Sequence, residues 1–255
     1  MTKIYFVGAG CGAKDLITVR GMNILKDADI IVYAGSLVNP ELLTYNETKA
    51  EIYNSATMTL DEVMEVLIGG ARNNKKVVRL HTGDPSLYGA IGEQIRILKK
   101  ESISYEVVPG VSAAFGAAAS LACEMTLPDV SQTVILTRME GKTKVPKKEA
   151  IENLARVGAT MAIYLSGTRA KDLADKLLLG GYKKDTPVAV CHKATWDDEV
   201  IIRSDVEHMA KVVEENNIEN TTLFLVGDSV GEDSDFELSK LYAPDFSTAF
   251  RKAKE

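Results

Sequence analysis

Three short segments of this 255-residue chain place glycine beside small or acidic residues directly after an apolar run. Each could rest a small molecule on bare backbone at the end of a strand. The first is Gly8-Ala9-Gly10-Cys11-Gly12-Ala13, which follows residues 3–7. Alone it fits the GxGxxG/A pattern of a dinucleotide-binding turn. That chemistry also requires an acid at the end of the next strand, to hold the ribose hydroxyls. The next strand ends Val32-Tyr33-Ala34-Gly35, without a carboxylate; Asp27 and Asp29 stand at its other end. Lys14-Asp15-Leu16-Ile17 also intervenes before a helix can begin. A glycine-rich turn without a ligand is the plain alternative.

The second segment is Thr82-Gly83-Asp84-Pro85-Ser86-Leu87-Tyr88-Gly89. Asp84 is a favoured N-cap and Pro85 suits a first helical position, so a simple helix start explains part of it. Gly83 before it and Tyr88-Gly89 after it leave open backbone where α/β sheets take ligands. The third, Tyr105-Glu106-Val107-Val108-Pro109-Gly110-Val111-Ser112-Ala113-Ala114, runs a strand into a Pro-Gly turn, and Ser112 can cap the alanine-rich helix behind it. It is either a packed turn or a second ledge of small residues for a flat ring. A basic run, Arg138-Met139-Glu140-Gly141-Lys142-Thr143-Lys144-Val145-Pro146-Lys147-Lys148, is either a solvated loop or a mobile one that engages carboxylates.

Other chemistries lack their residues. Three histidines and no HExxH pattern, with Cys11, Cys123 and Cys191 widely spaced, predict no intrinsic metal site and no disulfide framework. Thirty Lys+Arg against thirty-six Asp+Glu give a net charge of −6, the wrong sign for nonspecific nucleic-acid binding. Hydrophobic residues at 45% and charged residues at 26% describe a globular chain and exclude disorder. No run approaches the ~18 apolar residues of a membrane span. The first residues lack a signal-peptide pattern, so the expected location is the cytoplasm.

The elements that must position these segments alternate. Strands are expected at 3–7, 29–33, weakly near Ile52, 76–81 and 105–108, with helices at 18–28, 40–45, from about 85 to 100, and behind Thr59-Leu60-Asp61-Glu62. That last tetrad is a capping box, and Leu60, Val63, Met64 and Leu67 follow on one helical face. This order predicts a mainly parallel sheet. The texture changes at Pro109-Gly110, and the domain boundary is placed after residue 112, giving domains 1–112 and 113–255. The second half predicts strands at 133–137, 161–165, 188–192, 200–203 and 223–226, with helices at 148–156 and 170–179. A hairpin joins 188–192 to 200–203 and makes this sheet mixed. Ser204-Asp205-Val206-Glu207 reads as a capping box for a further helix carrying Val206, Met209 and Val213, and the tail after Gly231 reads as poorly ordered. Tyr5, Met161 and Met209 read as core, and Trp196 as cover for a domain edge.

Taken together, GAGxG near the start, GDPSLYG in the middle and YEVVPGVSAA at the junction resemble the tetrapyrrole (class III) methyltransferases. The resemblance extends through Thr222-Leu223-Phe224-Leu225-Val226-Gly227. Finer features, Val32-Tyr33-Ala34-Gly35-Ser36-Leu37-Val38 and His192-Lys193-Ala194-Thr195-Trp196, look most like members that methylate carbon 11 of a precorrin-4 macrocycle, with or without cobalt, in cobalamin synthesis. The resemblance implies two α/β domains with the cofactor between them, S-adenosylmethionine as donor with S-adenosylhomocysteine as product, a small-molecule tetrapyrrole substrate, and a homodimer. It implies cofactor contacts at Gly83, Asp84 and Leu87 near the methionine portion, at Ser112 and Ala113 after the Pro-Gly turn, at Leu165 against adenine, and at Ala194. Cys11 joins them, at a position where relatives usually carry proline. Substrate carboxylates are assigned to His81, Arg138, Lys142, Lys144 and Lys193, with Lys147 beside them; the plain reading of His81 is a buried histidine satisfied by backbone. Uroporphyrinogen-III methylases typically read Tyr-Asp-Arg-Leu-Val after the second strand. Ala34 replaces that acid here, which disfavours their reaction, and no acid–base residue is carried over. The nearest rival is another methyltransferase of the same fold, such as a precorrin methylase with a different target carbon, with diphthine synthase more remote. An NAD(P)-dependent oxidoreductase and a non-catalytic nucleotide-sensing module are rivals of other classes.

Overall fold

A computed structural model describes residues 2–218, 220–232 and 236–253. Contacts divide the chain into two compact units, one holding the residues up to Gly116 together with Lys193–Glu199, the other Ala117–His192 and the residues from Val200 onward.

The first unit is a five-stranded sheet of order β3-β2-β4-β1-β5, parallel throughout. Its strands are β1 (Ile4–Gly8), β2 (Ile30–Tyr33), β3 (Glu51–Asn54), β4 (Val77–His81) and β5 (Tyr105–Val108). The helices between them are α1 (Val19–Lys26), α2 (Leu60–Arg72) and α3 (Ile91–Lys100). The near-continuous apolar runs of β1 and β2 follow from cover on both faces, and β4 is buried throughout although it carries Arg79 and His81. Val7, Ile31, Val78 and Leu80 pack with Ile24 and Leu25 of α1. Their alternates Ile4, Phe6, Ile30, Val32 and Val77 pack with Val63, Met64 and Leu67 of α2 and Leu98 of α3. The Thr59 capping box forms as expected, with the Thr59 side chain accepting from Glu62 N and the Glu62 carboxylate accepting from Thr59 N.

In this unit one helix starts later than expected and another takes a different form. α3 begins at Ile91, not near Pro85, because Tyr88 and Ala90 adopt left-handed conformations at φ 58° and 52° that interrupt a helix. Residues 40–45 wind as a 3₁₀ turn, Pro40–Tyr45.

The alanine-rich helix α4 (Ala113–Ser120) follows β5. The second unit has strands β6 (Val134–Arg138), β7 (Thr160–Tyr164), β8 (Pro187–His192), β9 (Val200–Asp205) and β10 (Thr222–Val226), in order β6-β7-β10-β8-β9. β6 and β7 are parallel and the other pairs antiparallel, so the sheet is mixed, with β8 and β9 forming the expected hairpin. Helices α5 (Ile151–Leu154), α6 (Ala170–Gly180) and α7 (Met209–Glu215) share one core with Met161, Ile163, Val190 and Phe224. Gly181, at φ 108°, ends α6.

The Ser204 capping box does not form. β9 runs on through Asp205, whose carboxylate accepts the His208 backbone N–H (2.8 Å), and α7 starts only at Met209. Strand pairing with β8 claims Ser204 first. Part of the tail after Gly231 lies outside the described residues. In the remainder Arg251 donates to the carbonyls of Tyr242, Ala243 and Phe246, while the Phe250 side chain is fully exposed. No helix among the described residues is long and apolar enough to cross a membrane.

Candidate functional site

Strand order explains how motifs distant in sequence meet. β4, β1 and β5 are neighbours and parallel, so the loops leaving their carboxyl ends emerge side by side. They lock through main chain. Gly83 N donates to Gly10 O (2.8 Å) and Gly10 N to Gly83 O (3.3 Å), an isolated antiparallel bridge, and Ala9 N donates to His81 O (2.7 Å). A Cβ on Gly8 would stand 2.6 Å from Gly110 Cα and 2.7 Å from Gly83 O, so this crossing admits no side chain. Gly83 differs. It needs its positive φ, while the space its Cβ would enter is open, with Ser112 Cα nearest at 3.7 Å.

Asp84 braces this mesh. One carboxylate oxygen accepts Gly110 N (2.9 Å); the other accepts Ser86 N (2.9 Å) and the Ser86 hydroxyl. Asp84 is therefore not the N-cap of a helix beginning at Pro85. Its side chain closes an Asx turn and ties the loop after β4 to the loop after β5. Burial pushes its carboxyl up, but the hydrogen bonds from Ser86 and Gly110 outweigh burial and leave it below its ordinary range. At neutral pH the mesh carries a fixed negative charge.

Of the residues singled out in the sequence, Cys11, Gly83, Asp84, Leu87, Ser112, Ala113 and Ala194 all fall in the first unit's loops or directly behind them. Leu87 closes the turn by donating its N–H to Asp84 O (3.1 Å). Ser112 is buried, and its carbonyl accepts the N–H groups of Phe115 and Gly116 at the start of α4. Cys11 and Ala194 are buried, and burial pushes the Cys11 thiol up, so it stays protonated. Ala194 O lies 2.7 Å from where a Cβ on Gly12 would stand.

Two assigned cations in this unit are engaged otherwise. His81 is 3% exposed and lies on the face packed by α2 and α3; burial, with the nearby Arg79, pulls its pKa down to about 3. It is neutral at physiological pH, and among the described residues its Nε2 meets no hydrogen-bond partner, so backbone does not satisfy that atom as the plain reading expected. Lys193 pairs with the Asp198 carboxylate and lies 6.0 Å from the Trp196 ring centroid.

In the second unit, Leu165 follows β7 at φ 55° with 66% of its surface exposed. A branched apolar residue held in the left-handed region and turned to solvent is a strained position of the kind found at ligand contacts. Arg138 folds onto its own loop, donating to the carbonyls of Met139, Thr143 and Lys144. Arg169 braces the same loop at Glu140 O. Lys142 and Lys144 are exposed and form no ion pair among the described residues.

Sequence reasoning missed the side chains that hold the glycine-rich loop. Asn39 Nδ2 donates to Gly12 O (3.0 Å), and Trp196 Nε1 donates to Cys11 O (3.1 Å), a specific contact and not mere cover. Asn39-Pro40 is legible as a helix start, and Asn39 does accept Glu41 N, but nothing in the sequence ties its amide to Gly12. The dinucleotide reading fails on geometry as well. A 3₁₀ turn, Lys14–Leu16, follows the glycines, and α1 starts only at Val19 behind its own cap Thr18, so the helix that a dinucleotide fold would open at the glycines begins further on.

This is a two-sheet α/β protein whose strand-end loops form a backbone ledge with one fixed carboxylate. A sequence profile for the tetrapyrrole (corrin/porphyrin) methylases matches residues 3–210, and the chain belongs to that family. A cobalt-precorrin-4 C(11)-methyltransferase of Methanocaldococcus jannaschii is 49% identical over 251 residues, covering 98% of this chain and 96% of that one. A precorrin-4 C(11)-methyltransferase of Pseudomonas aeruginosa is 43% identical over 248 residues, covering 97% and 98%. The X-ray structure of a cobalt precorrin-4 methyltransferase, described as a cobalamin biosynthetic enzyme, superposes with a TM-score of 0.87 at 43% identity, over 90% of this chain and 96% of that one.

Proposed function

We propose that this protein transfers a methyl group from S-adenosylmethionine to carbon 11 of precorrin-4 or its cobalt form, in cobalamin biosynthesis. Likeness to C(11)-methyltransferases along nearly the whole length of both chains carries this reading. The site supports it: a ledge of bare backbone flanked by a fixed carboxylate suits a donor bearing positive charge.

When bound, the donor supplies a methyl group already activated on a sulfonium, so the protein's task is alignment, and orientation alone can contribute about 7–11 kcal/mol. The Gly8–Gly83–Gly110 crossing lets a ligand approach the main chain closely. Asp84 keeps Gly83 and the Pro-Gly turn in fixed register, and its charge favours a cationic neighbour. Ser112 and Ala113 extend the ledge, Leu165 supplies an apolar contact for adenine, and Cys11, Leu87 and Ala194 complete the donor contacts. Lys142 and Lys144 are assigned to the carboxylates of the macrocycle. His81, buried and neutral, and Lys193, paired with Asp198, are withdrawn from that role, and Arg138 serves it through the loop it staples. A cytoplasmic homodimer belongs to the same proposal; light scattering and cell fractionation test those two properties.

The deciding experiment incubates the protein anaerobically with S-adenosylmethionine and precorrin-4 or cobalt-precorrin-4 and locates the new methyl by mass spectrometry and NMR. Methylation at carbon 11 is expected. Methylation at another carbon, or calorimetric binding of NADH without binding of S-adenosylhomocysteine, overturns the reading.

A further inference from the structure

The segment 193–199 is compact with the first unit although it joins two strands of the second. Its centre, Thr195, is a β-branched residue at φ 68°, a conformation such side chains rarely adopt. Lys193, at φ 50°, is left-handed as well. Such strain persists only where the surroundings over-determine it, and here the surroundings are the glycine-rich loop. The Thr195 hydroxyl accepts Ala13 N (3.1 Å) and donates to Cys11 Sγ (3.3 Å). Trp196 Nε1 takes Cys11 O (3.1 Å), while the Thr195 N–H is anchored on the Glu199 carboxylate.

The packing leaves no slack. A Cβ on Gly12 would collide with Trp196 Cδ1 and stand 2.8 Å from Thr195 Oγ1; one on Gly116 would stand 3.1 Å from both Cys11 Cβ and Thr195 Cγ2. Another of the loop's carbonyls, Gly12 O, is taken by Asn39. Glycine-rich backbone has little conformational preference of its own, so its shape is set by these donors and acceptors.

We infer that Thr195, assisted by Trp196, is a positioning residue that holds the Gly10–Ala13 loop in the conformation that receives the methyl donor. This rests on the function proposed above. The hydroxyl, and not the bulk of the side chain, supplies the hold, because one oxygen serves both Ala13 N and Cys11 Sγ.

The test compares wild type with Thr195→Val, Thr195→Ser and Trp196→Phe, reading the Kd for S-adenosylhomocysteine by calorimetry, the KM and kcat for methyl transfer, and hydrogen exchange at the Ala13 amide. Thr195→Val keeps shape and loses the hydroxyl. It is expected to weaken product binding about tenfold, the size of one lost hydrogen bond, to raise the KM for the donor similarly, to change kcat less than about twofold at saturation, and to speed Ala13 exchange. Thr195→Ser is expected to restore binding and exchange to near wild type, and Trp196→Phe to fall between. A lowered melting temperature for Thr195→Val with unchanged Kd and unchanged Ala13 exchange overturns the inference alone, as does failure of serine to rescue. A wild-type chain that does not bind S-adenosylhomocysteine overturns the proposed function, and this inference with it.

Discussion

Gly110→Ala tests the crossing on which the ledge depends. The new Cβ would stand 2.8 Å from Gly8 Cα and 2.9 Å from Gly8 C, and nearer still to Gly83 O. Those obstacles are backbone and cannot rotate away. Gly83 is bonded to Gly10 through both its N–H and its C=O, and Gly110 N is held by Asp84, so any accommodating shift breaks a hydrogen bond. Overpacking of this kind costs about 1–3 kcal/mol, and the lower unfolded-state entropy of alanine offsets about 0.4–1 kcal/mol of it. A net loss of about 2 kcal/mol follows, since the obstructing atoms place the strain in the upper part of that range. Gly69→Ala and Gly92→Ala are the controls. They lie within α2 and α3 with nothing within 4 Å of the added carbon, so each should gain about 0.5–1 kcal/mol from helix propensity. Urea midpoints and calorimetric titration with S-adenosylhomocysteine read the outcome. Gly110→Ala should lower the midpoint and raise the Kd at least about tenfold, the binding equivalent of about 1.4 kcal/mol, while the controls raise the midpoint and leave the Kd unchanged. A Gly110→Ala protein with wild-type midpoint and wild-type Kd refutes the reasoning.

Other consequences are equally concrete. Leu165 holds a left-handed conformation that costs a non-glycine residue about 1–2 kcal/mol, so Leu165→Gly should melt above Leu165→Ala although both bind S-adenosylhomocysteine more weakly than wild type; the reverse order of melting would show that the strain is not real. His81 is buried neutral with its pKa held down to about 3, whereas in the unfolded chain it titrates near the ordinary value of 6.5. The unfolded state therefore binds the extra proton between those values, and the stability contributed by keeping His81 neutral is complete above pH 6.5 and declines as pH falls toward 3. Denaturant midpoints from pH 7 to pH 4 should show His81→Leu gaining on wild type by about 1.4 kcal/mol per pH unit below the unfolded value, and parallel profiles would contradict the burial. Replacing Lys142, Lys144 and Lys147 together with glutamine should raise the tetrapyrrole KM about tenfold while the Kd for S-adenosylhomocysteine moves less than about twofold; steady-state kinetics at two salt concentrations and calorimetry check this, and equal effects on both constants remove the loop from substrate binding.

Much of the architecture was legible because periodicity reports burial. β1 and β2 read as strands from short apolar runs, and each proved to be covered on both faces. Thr59 and Glu62 announced α2 because a capping box is a local exchange of hydrogen bonds that needs nothing distant. The same signature at Ser204 misled, since pairing of β9 with β8 outcompeted it, and local propensity is a weak prior beside a strand ladder. Asp84-Pro85 misled for a related reason. An aspartate before proline is a good helix start until its carboxylate is claimed by Gly110 N, 26 residues further along the chain.

By itself the sequence determined which strands exist and that small residues follow three of them, because composition and short-range spacing carry that information. Tertiary structure alone decided what those small residues do. Only the β4-β1-β5 order brings Gly8, Gly83 and Gly110 within touching distance. Only the folded chain sets Thr195 and Trp196 on a loop more than 180 residues earlier. Only burial turns His81 from a candidate cation into a neutral core residue. The reason is physical: hydrogen bonds and desolvation act through space, and residue spacing along a chain does not encode which carbonyl a distant side chain will reach.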